Sequence, residues 1–118
     1  MQEKEYLLKL IEKFEDQATI LEIVGMIDIK TSPDLLASIK KNLANGTSKI
    51  LVQLAQVEYM DSSGVGVLIS GLKSAKALSV PFALVAVPKR VMMVLEMTRL
   101  VELFRIFPDT TSALAELA

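Results

Sequence analysis

Strand-like and helix-like stretches alternate along most of this chain. Such alternation folds into a mostly parallel sheet with right-handed crossovers and helices on its faces. The run 81–87, PFALVAV, is apolar almost throughout. That pattern suits a strand covered on both faces. Stretches 6–14 and 19–24 are also rich in strand formers, and Glu15-Asp16-Gln17 between them reads as a hairpin turn. Gly25-Met26-Ile27-Asp28 then leads out of the second strand. Thr31-Ser32-Pro33-Asp34 has the marks of a helix start: Ser32 as N-cap, Pro33 at the first helical position, and Asp34 at the positive end of the dipole. Leu35, Leu36, Ile39 and Leu43 form its apolar stripe, and Asn45-Gly46 ends it. A strand at 49–55 follows. A loop at 60–63 leads into a second helix, with Val65, Leu68, Ile69, Leu72 and Ala75 on one face. After the 81–87 strand, Pro88 opens a helix over 89–98, and a short strand at 104–107 precedes a last helix begun by Pro108-Asp109-Thr110-Thr111. The expected order is β-β-α-β-α-β-α-β-α: an α/β fold, with a sheet made mixed by its opening hairpin and covered by about four helices.

At 118 residues and 52% hydrophobic content, the chain suits one globular domain over 1–118. It has neither Cys nor His. Disulfides, thiolate nucleophiles and a Ser-His-Asp triad are therefore excluded, and so is the commonest metal ligand. Thirteen basic residues face fourteen acidic ones, and Trp is absent. Neither a phosphate-neutralising surplus nor an aromatic stacking platform points to direct nucleic-acid binding. Met1-Gln2-Glu3-Lys4-Glu5 is not the start of a signal peptide, and no apolar run reaches the roughly 18–20 residues that span a bilayer. The expectation is a soluble, cytoplasmic protein with no membrane partner, no cofactor and no metal.

The informative segment is 57–68, between a strand and an amphipathic helix, where α/β sheets bind ligands and partners. Asp61 or Ser62 can cap the helix, and the hydroxyls of Ser62 and Ser63 lie near its free N–H groups. Gly64 and Gly66 each weaken the first turns by about 1 kcal/mol relative to Ala. Two readings stand side by side: close approach of a partner to this backbone, or tight packing of the glycines on the sheet beneath a simple cap.

Met60-Asp61-Ser62-Ser63-Gly64-Val65-Gly66 resembles the signature of bacterial anti-sigma-factor antagonists, the stand-alone STAS-domain proteins. Gly25-Met26-Ile27-Asp28 resembles the Gly-x-(Leu/Ile)-Asp of that family's second strand, and Val87-Pro88 through Leu95 and Leu100 resembles the segment around its third helix. The likeness extends from about 22 to 107. It implies phosphorylation at Ser62, the serine directly after the aspartate, by an anti-sigma factor that is also a serine kinase. It also implies that the unphosphorylated form binds that kinase and releases a sigma factor, and that a PP2C-type phosphatase reverses the modification. Asp28, Asp61, Ser62, Ser63 and Gly64 are the implied partner-binding residues. Asp28 is read either as a partner contact or as a turn carboxylate ahead of Thr31. Asp61 is read as the brace that fixes Ser62. One of Met92 and Met93 falls outside the apolar stripe of its helix, as an adaptable contact would, and Lys89-Arg90 reads as a solvated pair.

The nearest rival keeps the fold and makes the chain a STAS regulatory or scaffold subunit of a transport or stress-sensing complex. A phospho-accepting receiver domain needs an acidic pair after its first strand and an Asp ending its third. Here Glu15-Asp16 lies in a turn and Asp61 is followed by Ser-Ser-Gly. An enzyme is disfavoured by the lack of a phosphate loop, metal cluster or base–nucleophile pair.

Overall fold

The computed structural model describes residues 8–117. The expected strand residues 6 and 7, and the N-terminal segment 1–5, lie outside them. Strand β1 (Leu8–Glu15) turns back into β2 (Ala18–Ile27), followed by helix α1 (Ser32–Ala44) and β3 (Lys49–Met60). Then come α2 (Ser62–Ala77), β4 (Phe82–Val85), α3 (Lys89–Met97), a 3₁₀ turn at Val101–Leu103, β5 (Arg105–Phe107) and α4 (Thr110–Glu116). The five strands lie in sequence order; β1 and β2 are antiparallel and every other pair is parallel. The mixed sheet, the opening hairpin and the four helices all stand as expected.

Asp16 and Gln17 make the two-residue turn, with φ of 52° and 69°. Such left-handed pairs match the twist of the strands they join. The sheet separates two apolar layers, because alternate strand residues point to opposite faces. On one face α1, α2 and α3 set Leu35, Ile39, Leu68, Val91 and Leu95 against Leu21, Val52 and Leu84. On the other, Ala113 and Leu117 of the short C-terminal element cover Ile20, Leu51, Ala83 and Val85. β4 is buried at every position, as its continuous apolar run requires.

Three local expectations are corrected. First, β2 does not end at Val24: it continues through Gly25 (φ 110°) to Ile27, with register shifts near Glu22–Val24 and Gly25–Met26. A glycine bulge lets the ladder continue where a side chain would be strained. Second, β3 runs to Met60 instead of ending near Ala55, so 60–63 is not a loop. β3 pairs with β4 only from Ile50 to Gln53, then continues with β2 as far as the pair Ile27–Met60. Third, Ser32 does not cap α1. It is the first helical residue and is buried, and Pro33 sits second. Its N–H donates to the Asp28 carbonyl at 2.8 Å, so the preceding turn satisfies the helix start instead of a serine hydroxyl.

Between β1 and α1 the chain buries polar groups. Ser38 donates to Glu12 Oε2 at 2.8 Å, and Lys41 pairs with the same oxygen at 2.8 Å. These bonds, led by that from Lys41, hold the Glu12 carboxyl below its ordinary range.

Candidate functional site

The β2–β3 extension carries the site. β2 delivers Asp28 and β3 delivers Asp61, each directly after a residue of the pair Ile27–Met60. The Asp61 N–H donates to the Ile27 carbonyl at 3.2 Å, which carries the pairing one residue beyond the strands. The structure thus brings together two segments that lie about thirty residues apart in the chain.

Asp61 is the N-cap of α2, in extended conformation. Its Oδ1 accepts from Ser63 N at 2.8 Å and from Gly64 N at 3.4 Å. Those are the donors an N-cap is placed to satisfy. Ser62, the first helical residue, is exposed; Ser63 is half-buried and Gly64 buried. Asp61 therefore braces the turn that presents Ser62 outward.

The two glycines do different things. A Cβ on Gly64 would lie 2.8 Å from Ile27 Cγ2 and would clash with the Met60 side chain. Its bareness lets the start of α2 sit directly on the ends of β2 and β3. A Cβ on Gly66 would meet nothing within 4 Å, and Gly66 is exposed one turn along from Ser62. Tight packing accounts for Gly64 and gives no reason for Gly66.

Asp28 is half-buried and closes a compact turn. Its Oδ1 accepts from Lys30 N at 2.9 Å and from Thr31 N at 3.1 Å. The fully buried Thr31 accepts from Asp28 N at 2.9 Å and donates to the Met26 carbonyl at 2.8 Å. The carboxylate thus does serve as a turn brace ahead of Thr31. The turn presents Ile29, 73% exposed, at its tip.

Three surface features were not legible in the chain. Tyr59 is half exposed three residues before Ser62. Ile29 follows a strand end, and nothing in its local pattern marks it as exposed. Arg90 is exposed yet donates to the Glu58 carbonyl at 3.0 Å, tying α3 to the end of β3, so Lys89-Arg90 is more than a solvated pair. Met93 is 51% exposed and Met92 half-buried, which places Met93 outside the stripe. Met97 is 80% exposed. Among the described residues no group of three or more acidic side chains is gathered to hold a metal, and no helix is long and apolar enough to cross a membrane.

Known proteins resemble this chain in sequence and in fold. An anti-sigma-B factor antagonist of Staphylococcus aureus is 28% identical over 96 residues, 81% of this chain and 89% of that protein. A Thermotoga neapolitana protein described as a candidate anti-sigma factor antagonist is 39% identical over 74 residues, 63% of this chain. The match spans 66% of that relative, just under two thirds of its length. The crystal structure of a Thermotoga maritima protein described in the same terms superposes with a TM-score of 0.85 at 28% identity, covering 92% of this chain and 93% of that one. The anti-sigma factor antagonist SpoIIAA shares the fold at 17% identity. Its unphosphorylated form gives a TM-score of 0.80 over 92% of this chain and 95% of SpoIIAA. The phosphorylated form, from Bacillus, gives 0.72 over 94% and 99%. The family model for the STAS domain matches residues 10–113, nearly all of the described sheet and helices, and this chain belongs to the STAS domain family.

Proposed function

We propose that this protein is an anti-sigma-factor antagonist acting as one STAS domain over 1–118 in the cytoplasm. With Ser62 unmodified, it binds an anti-sigma factor that is also a serine kinase, and a sigma factor is released. Phosphorylation of Ser62 ends that binding, and a PP2C-type phosphatase restores it. Asp28, Asp61, Ser62, Ser63 and Gly64 form the heart of the contact surface. Asp61 and Gly64 act by setting the backbone, and Ser62 lies within the contact, where its bare side chain is accommodated and a phosphate is not. The protein works by binding and not as an enzyme.

The observation that carries this reading is the exposed Ser62, the first residue of α2, in a turn braced by Asp61 beside the Asp28 turn. The names of the S. aureus and Thermotoga relatives support it, as does the existence of SpoIIAA in both phosphorylation states. A phosphoserine adds about −1.5 to −2 charges. The helix dipole favours an anion there, but the Asp61 carboxylate already takes the Ser63 and Gly64 N–H groups. The new charge therefore remains on the contact surface, next to a carboxylate, where it opposes docking without disturbing the core.

The test is incubation with ATP, Mg²⁺ and the anti-sigma kinase of the same genome, followed by intact and peptide mass. The expected result is one phosphate, on Ser62, absent from Ser62→Ala. By calorimetry Ser62→Ala keeps its affinity for the kinase, and Ser62→Glu loses at least about tenfold, or roughly 1.4 kcal/mol. Absence of both phosphate and binding would falsify the antagonist reading. Binding without phosphate would leave a STAS subunit that associates constitutively.

A further inference from the structure

At the end of the sheet away from Ser62, an open cleft of about 450 Å³ lies between the β1–β2 turn and the C-terminal end of α1. That volume is within the range of small-molecule sites. Thr19 and Asn42 line it and are 1% and 3% exposed, whereas Phe14 forms a wall with 67% of its surface open.

Counting protons sharpens the point. Asn42 Nδ2 donates to the Ser38 carbonyl at 2.8 Å, which orients the amide. Its Oδ1 has only a long contact, 3.4 Å, from Thr19 Oγ1. Thr19 has one hydroxyl proton and lies closer to Thr47 Oγ1, at 2.7 Å. The single Thr47 proton is in reach of the Lys49 carbonyl at 2.9 Å. Thr47 can donate to the Lys49 or the Gln17 carbonyl, and either threonine can donate to the other, so Asn42 Oδ1 receives at most the one long bond from Thr19 and its second lone pair has capacity for a donor. Such an acceptor favours any ligand that brings an O–H or N–H.

Charge narrows the ligand class. Glu12 and Lys41, the ionisable residues of the lining, are paired at 2.8 Å and offset each other. The C-terminal end of α1 adds partial negative charge and disfavours an anion. The exposed amides of Gln17 and Asn45 each hold a donor and an acceptor, as neighbouring hydroxyl groups require, while Asn42, whose Nδ2 faces the Ser38 carbonyl and Glu12, offers only its oxygen. The exposed Phe14 face suits the C–H face of a saturated ring. We propose that this cleft binds a small, uncharged, polyhydroxylated ring of monosaccharide or cyclitol type. One face lies against Phe14, and its hydroxyls meet Asn42, Asn45 and Gln17. This site is independent of the switch at Ser62.

The test is amide-resolved NMR of the full chain titrated with glucose, myo-inositol, adenosine monophosphate and agmatine, to roughly 50 mM, where a millimolar Kd is saturated. The expected result is saturable shifts at Thr19, Asn42, Gly46 and Thr47 with a neutral polyol, and none at Ser62. Phe14→Ala, which removes an exposed ring, and Asn45→Ala should each weaken that binding about tenfold or more, with melting temperature near that of the parent. Shifts that stay linear, saturation only by the charged probes, or unaltered polyol binding in both variants would overturn the proposal.

Discussion

Single atoms decide how Ser62 is presented. Asp61 supplies a carboxylate to two N–H groups, and Asp61→Ala is expected to destabilise the fold by about 1 kcal/mol, with Asp61→Asn recovering most of it. Chemical denaturation reads the difference. The glycines of α2 give a sharper contrast. Gly64→Ala forces a Cβ into Ile27 and Met60 and should cost about 1–3 kcal/mol. Gly66→Ala meets open space at ordinary φ and should stabilise by about 0.5–1 kcal/mol. If a partner approaches this face closely, Gly66→Ala will bind it less tightly despite the firmer fold. Equal binding would leave Gly66 without a contact role. The motif Asp-Ser-Ser-Gly was legible in the chain, and so was the choice of Asp61 or Ser62 as cap. Which of the two caps was not: both have an oxygen at the right spacing, and only the extended backbone of Asp61 decides it.

At the scale of elements, the β1 hairpin is held to α1 by Glu12, which takes bonds from Lys41 and Ser38. A carboxyl held below its ordinary 4.5 stabilises the folded chain fully above that pH, and the contribution fades as pH falls through the lower folded value. Glu12→Gln is therefore expected to lower stability at neutral pH and to flatten its decline below about pH 4.5, as followed by thermal melts across pH. A decline as steep as the parent's would assign the acid sensitivity to other carboxylates. This pairing was illegible beforehand, because Ser38 and Asn42 look like polar residues on an exposed helix face. They are buried only because the hairpin folds over α1. The lengths of β2 and β3 are not written in the local pattern, for a related reason. Beyond Ala55, β3 alternates poorly, and its residues stay in a strand because β2 continues beside them.

For the whole molecule, protection should follow the sheet. The central strands β2, β3 and β4 are paired on both sides and buried between two helical layers. Hydrogen exchange is expected to be slowest at Leu51, Val52 and Leu84 and much faster in β1 and β5 at the edges. Uniform protection would mean that the edges open only with the core. Phosphorylation at Ser62 should leave this pattern and the melting temperature nearly unaltered, since Ser62 is exposed and the core lies below it. A sharp fall on modification would show that the charge acts through the fold and not at the surface. The order of elements, the mixed sheet and the apolar stripes could all be read from the chain, because each depends on residues near one another: period, turn chemistry and caps. A switch role for the segment around Ser62 comes from the family resemblance and not from those local patterns. What tertiary structure alone decided were contacts between distant segments. The Asp28 turn joins the Asp61 cap because Ile27 pairs with Met60. Gly64 must be bare because those two side chains lie beneath it. Arg90 reaches the end of β3, and α4 takes the opposite face of the sheet. Local pattern carries no record of these, since which strand ends become neighbours depends on the sheet as a whole.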